Sequence, residues 1–151
     1  FFFAASSAWC YDMNLANSYE QYFEQFAGKS TPKALQMIPT DKFVKAVQTG
    51  EKMFIIDVRT PAETEMYGFT IPGSVAIPMN QLFKAENLAR IPSDQKVVIV
   101  CKAGHRAMAI ATALRHSGFK NVFVLKHGIS DVAAFLSPKN AYFKGPKVSA
   151  K

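Results

Sequence analysis

Cysteine is scarce: only Cys10 and Cys101 occur in 151 residues. That excludes a disulfide framework, and without a Cys-x-x-Cys pair it excludes a four-ligand structural zinc site. Histidine is scarce as well, and His105, His116 and His127 are too dispersed to read as ligands. No metal and no cofactor is expected. No apolar run approaches the ~20 residues that span a bilayer, which excludes a membrane-spanning helix within these residues. Lysine and arginine form no stripe and do not interleave with aromatics, which argues against a nucleic-acid surface despite the net charge of +7. Base is missing altogether from residues 1–28, which hold Asp12, Glu20 and Glu24, so the remainder carries +10. Singly scattered cations of that kind suit attraction of small anions.

What is present is a chain of one-domain length, half hydrophobic and rich in Phe, enough to bury a single core. Its most informative stretch is Lys96-Val97-Val98-Ile99-Val100-Cys101-Lys102-Ala103-Gly104-His105-Arg106-Ala107. Four consecutive β-branched residues predict a strand covered on both faces, and Ala107 to Leu114 has helix-forming composition. Cys101 therefore stands where strand turns into helix. There, loop amides and the helix dipole favour negative charge, so Cys101 reads as a thiolate nucleophile, with Lys102, His105 and Arg106 adding positive charge nearby. The same N–H groups suit the outer sulfur of a persulfide or the oxygens of an anionic substrate.

Cys101-Lys102-Ala103-Gly104-His105-Arg106, with Ile55-Ile56-Asp57-Val58-Arg59 and Ile71-Pro72-Gly73-Ser74-Val75-Ala76-Ile77-Pro78 upstream, resembles a single-domain rhodanese. The three motifs follow that family's order and spacing from about Ile38 to Pro138. The resemblance implies a sulfurtransferase and a three-layer α/β fold, its mostly parallel central sheet carrying helices on both faces. It also implies a small anionic sulfur donor, thiosulfate or a persulfide, and a thiol, cyanide or protein acceptor.

In chain order, residues 1–32 read as an N-terminal extension, 33–138 as the rhodanese domain and 139–151 as a basic tail. Phe1 to Ala8 is similar to the end of a secretory signal, which suggests an exported or periplasmic protein; a packed apolar tail, with a cytoplasmic protein, is the alternative. Ser18-Tyr19-Glu20-Gln21 has the form of a capping box, and Tyr19, Tyr22, Phe23 and Phe26 recur at helical spacing. That aromatic face packs on its own domain or pairs two copies into a dimer. Gly28 to Pro32 reads as a linker. Thr40 is a candidate cap for a helix ending at Gly50, and Met53 to Ile56 a strand ending at Asp57. Thr60-Pro61-Ala62-Glu63 combines cap, Pro and Glu into a helix start. Val75 to Ile77 is a short strand, Asn80 opens a helix through Leu88, Val122 to Leu125 is the last strand, and Ser130 to Leu136 a closing helix. Alternating strands and helices argue for a parallel sheet that binds ligands at strand C-terminal ends, where Asp57 and Cys101 lie.

In this reading Cys101 is the nucleophile and Lys102, Ala103, Gly104, His105 and Arg106 form the substrate loop. Lys102 and Arg106 attract the anion, and Gly104 lets the loop bend. His105 is a charge, a donor or a solvated loop residue. Asp57 and Arg59 either brace the loop or form a structural ion pair at a strand end. Glu63 is explained by capping, and by resemblance it has a second reading in holding Arg59. Cys10 is a packed residue or a resolving thiol. Two rivals stand. A phosphatase or arsenate reductase would use the same thiolate, but related phosphatases place one residue more between Cys and Arg than the four here. A non-catalytic rhodanese-like binding or sensing module usually lacks the cysteine. Two departures from the family pattern are Phe69-Thr70, where the stretch has an inserted residue and no His, and His127-Gly128, where the family has Gly-Gly.

Overall fold

The computed structural model describes residues 10–138, so the signal-like Phe1 to Ala8 and the basic tail 139–151 lie outside the described residues. The chain divides between Leu35 and Gln36 into two compact units.

In the first unit, helix α1 (Met13–Phe23) is capped by Asp12, whose carboxylate accepts the N–H groups of Asn14 at 2.9 Å and Leu15 at 3.1 Å. Ser18 is therefore not the cap. The helix-forming residues before it extend the helix upstream, and its hydroxyl donates instead to the Leu15 carbonyl at 2.8 Å. Tyr22, Phe23 and Phe26 cluster, the Tyr22–Phe23 pair edge-on at 5.1 Å and the Phe23–Phe26 pair at 5.4 Å. The stretch read as a linker is helical: a 3-10 turn, Gly28–Ser30, leads into α2 (Thr31–Ala34).

The second unit holds a five-stranded sheet in the order β1-β5-β4-β2-β3, every pairing parallel. Its strands are β1 (Met37–Ile38), β2 (Met53–Asp57), β3 (Ser74–Ala76), β4 (Lys96–Val100) and β5 (Val122–Leu125). The period of two sends alternate residues of the buried run to opposite faces. Val97 and Ile99 join Ile56 and Val124 under helix α6 (His105–His116), which presents Ala107, Ile110, Ala111 and Leu114 at helical spacing. Val98 and Val100 join Ile55 and Leu125 on the other face, covered by Phe43 and Val44 of α3 (Thr40–Gln48) and by Ile129 and Val132 of α7 (Gly128–Phe135). Each such side chain removed from water contributes about 1.5–3 kcal/mol.

Three expected helix starts move. Thr40 is the first residue of α3, not its cap, because its buried hydroxyl is taken by the Asp131 carboxylate. Asn80 opens only turns, and the helix there is a single one, α5 (Ala85–Leu88). Helix α7 begins at Gly128, two residues before Ser130, which places its N-terminus against the loop after β4.

The chain runs from β2 outward to β3, then crosses back to β4 beside β2 and on to β5. Strand order thus reverses between β2 and β4, and the crevice beyond their C-terminal ends is where such sheets receive ligands.

Candidate active site

Strand β4 delivers Cys101 to that crevice, with only 1% of the residue exposed. Lys102 and Ala103 of the following loop, and His105, the first residue of α6, are exposed. The loop returns to the sulfur at Gly104, whose N–H donates to Cys101 Sγ at 3.1 Å. Gly104 does so at φ +94, a conformation that costs other residues strain, and a Cβ there would meet the His127 nitrogen at 3.3 Å.

The start of α7 anchors the first part of this loop. The Ile129 N–H donates to the Cys101 carbonyl at 2.9 Å and the Ser130 N–H to the Lys102 carbonyl at 3.2 Å. Two N–H groups with no partner inside their own helix thus fix the carbonyls of Cys101 and Lys102. Gly128 makes the approach feasible, since a Cβ on it would lie 2.3 Å from the Cys101 oxygen and 2.5 Å from that of Lys102. His127 precedes it at φ +64, unusual for a residue with a side chain. Its side chain is exposed at the edge of this loop, and the departure from Gly-Gly falls at that left-handed position.

Arg106, in the first turn of α6, faces helix α4 (Pro61–Met66). Its two terminal nitrogens donate to the two Glu63 oxygens, each at 2.7 Å. Glu63 also completes the capping box: its carboxylate accepts the Thr60 N–H and hydroxyl, both at 3.0 Å, while its own N–H reaches the Thr60 hydroxyl at 3.4 Å. Capping and ion pairing use the same carboxylate. The side-chain partner of Glu63 is therefore Arg106 and not Arg59, which reaches only the Glu63 backbone oxygen at 3.4 Å. Hydrogen bonding to Arg106, then to the Thr60 backbone, holds the Glu63 carboxyl far below the usual carboxylate range. The Arg106 guanidinium is correspondingly raised, chiefly by Glu63 and to a smaller extent by the Cys101 sulfur that it also faces.

Asp57 and Arg59 form a buried pair, 4% and 1% exposed. Arg59 Nε donates to both Asp57 oxygens at 3.0 Å, and its NH2 nitrogen donates to Asp57 Oδ2 and the Tyr67 carbonyl, both at 2.7 Å. The Tyr67 ring lies 4.7 Å from the guanidinium. This pair ties the end of β2 to both ends of α4, the helix that carries Glu63 to Arg106. Among the described residues, the Arg59 side-chain hydrogen bonds run to Asp57 and to the backbone of Glu63 and Tyr67, not to the Cys101 loop.

Ion pairing splits the sequence's two candidate anion-attracting residues. Arg106 is paired, and Lys102 stands in no ion pair among the described residues. No group of three or more His, Cys, Asp or Glu side chains among the described residues converges as metal ligands would, and no helix there is long and apolar enough to cross a membrane. Cys10 is exposed, not packed. The Ile129 and Ser130 amides were not legible as site groups, since backbone donors leave no residue signature; Gly128 after the last strand was the available sign.

A family model described as Rhodanese-like domain matches residues 39–135. Among curated proteins, the probable adenylyltransferase/sulfurtransferase MoeZ of Mycobacterium tuberculosis is 31% identical over 121 residues, covering 77% of this chain but only 30% of that protein. This chain thus spans less than a third of that relative's length. A sulfurtransferase of Allochromatium vinosum is 29% identical over 92 residues, 61% of this chain and 82% of that one. A crystal structure of a rhodanese-like domain protein from Staphylococcus aureus superposes with a TM-score of 0.57 at 26% identity, covering 64% of this chain and 90% of its own.

Proposed function

Because the chain belongs to the rhodanese-like family, we propose that it is a sulfurtransferase in which Cys101 carries sulfane sulfur as a persulfide. The observation that supports this reading best is the Gly104 N–H directed at Cys101 Sγ at 3.1 Å, in a loop whose Cys101 and Lys102 carbonyls accept from the first turn of α7. The Cys101 thiolate attacks the outer sulfur of thiosulfate. An S–S bond forms to Cys101, the S–S bond of thiosulfate breaks, and sulfite leaves with the electron pair. A thiolate acceptor then attacks the outer sulfur of the persulfide, takes it as its own persulfide and releases the Cys101 thiolate.

Negative charge stays at sulfur through both steps. Fixed N–H dipoles therefore serve better than a proton-shuttling base, and the site offers such dipoles. Lys102, exposed and unpaired in charge, draws the anionic donor in; His105 beside it is solvent-facing. An exported location and pairing of two copies through the aromatic helix are carried by the sequence alone, by Phe1 to Ala8 and by the spacing of Tyr19 to Phe26.

A steady-state assay of thiosulfate-dependent thiocyanate formation from cyanide tests the reading. The parent turns over, and Cys101→Ser falls to background because a serine hydroxyl forms no persulfide. Turnover that survives in Cys101→Ser would remove Cys101 from the chemistry. Hydrolysis of an aryl phosphate with no thiocyanate formed would favour the phosphatase.

The Glu63–Arg106 pair also sets a pH dependence. The folded-state Glu63 value lies below its ordinary value of about 4.5, so the pair contributes stability at all pH above that value and loses it as pH falls toward the depressed one. Urea midpoints of the parent and Glu63→Gln, measured from about pH 6 to about pH 3, are expected to differ most at the upper end and to converge at the lower. A difference that grows on acidification would contradict the pairing.

A further inference from the structure

The guanidinium fork of arginine is the side chain best matched to a tetrahedral oxyanion, because its parallel N–H groups meet two oxygens at once. In this site the fork is already engaged: both terminal nitrogens of Arg106 end on Glu63, 2.7 Å from each oxygen. The pair lies at the mouth of the site, its side chains 34% and 30% exposed, so a solute anion would otherwise reach the guanidinium from solvent. Glu63 is itself fixed by Thr60 through the capping box, and α4 by the buried Asp57–Arg59 pair, so the carboxylate is built in and does not swing away.

We propose that Glu63 is a specificity-determining residue that occupies the Arg106 fork and thereby excludes phosphate-like oxyanions from the Cys101 loop. The inference rests on the sulfurtransferase reading and deepens it. Sulfur transfer needs only the terminal sulfur of the donor to enter the loop, where the Gly104 N–H waits, while its leaving anion faces outward. Phosphoryl transfer needs three equatorial oxygens held inside by N–H groups and a cation. With the end-on pair of terminal N–H groups spent on an internal carboxylate, the second arrangement loses its bidentate end-on clamp, and the carboxylate's own charge repels a polyanion. One residue outside the loop thus separates two reactions that share a thiolate.

The test uses inorganic phosphate as the probe and iodoacetamide alkylation of Cys101, followed by peptide mass so that Cys10 is scored separately. Phosphate seated in the loop shields the sulfur and slows alkylation. In Glu63→Gln and Glu63→Ala, half-protection is expected at a phosphate concentration at least about tenfold below that of the parent, the size of a recovered hydrogen bond to a charged group. Thr60→Ala loses the hydroxyl but keeps the backbone N–H at position 60 and both Arg106 bonds on the Glu63 carboxylate, and is expected to behave as the parent. Adding Arg106→Lys to Glu63→Gln removes the fork and should cancel the gain.

The proposal is overturned if both Glu63 variants, native by circular dichroism, bind phosphate no better than the parent. It is equally overturned if Thr60→Ala gains as much, or if the gain survives Arg106→Lys. Thiosulfate loading of the parent is scored in parallel; its absence would sink the sulfurtransferase reading while leaving the phosphate comparison interpretable.

Discussion

Gly128→Ala is expected to lower the rate of sulfur loading by at least about 100-fold, the scale of a roughly 1 Å displacement of a reacting group. The added methyl would lie 2.3 Å from the Cys101 carbonyl oxygen and 2.5 Å from that of Lys102, at φ +66. Backbone must therefore move. The nearest backbone is the nucleophile's own peptide, which accepts from Ile129, so relief of the clash displaces Cys101 and the loop that brings the Gly104 N–H to its sulfur. Gly118→Ala is the matched control: its φ is +107, equally unsuited to alanine, but nothing lies within 4 Å of the new methyl. That variant is expected to lose stability by about 1–3 kcal/mol and to load sulfur normally. Stopped-flow loading of both variants separates loop displacement from backbone strain. Equal loading by the two would contradict the role given to the α7 start.

Asp57→Ala should be the most damaging change to stability outside the apolar core. It leaves the Arg59 guanidinium buried with its principal partner gone, and breaking such a pair from one side costs about 3–5 kcal/mol. The Tyr67 carbonyl and ring remain as partners but carry no full negative charge. Asp57→Asn retains one acceptor oxygen and is expected to fall between Asp57→Ala and the parent. For a domain of this size each kcal/mol moves the melting midpoint by roughly 2–4 °C, so the alanine variant is expected to melt at least about 6 °C lower. A shift under about 2 °C would show that the pair is dispensable to the fold.

The sheet was legible because its signals are local and agree with one another. Val97 to Val100 reads as a strand from four β-branched residues, and Thr60-Pro61-Ala62-Glu63 as a helix start from its side-chain chemistry. Both form as read. Caps chosen by motif alone were less secure. Ser18 satisfies the pattern, but Asp12 lies one turn and a half upstream with its carboxylate on two free amides, and the longer helix wins.

The site was legible as a loop and not as an assembly. Cys101 and Gly104 lie in one motif, so their meeting was foreseeable. Glu63 and Arg106 are 43 residues apart, and the capping box supplied a complete local explanation of Glu63 that hid its second partner. The α7 amides were hidden for a different reason: any sequence supplies backbone donors, and only the fold decides where they point.

The central claim is that Cys101 holds a sulfane sulfur, and intact-chain and peptide mass spectrometry after exposure to thiosulfate test it most directly. The parent is expected to gain about 32 Da, the mass of one sulfur, on the peptide containing Cys101, removable by cyanide or a thiol, while Cys101→Ser gains none. An unchanged mass with Cys101 confirmed reduced, or an adduct that persists in Cys101→Ser, would contradict the account.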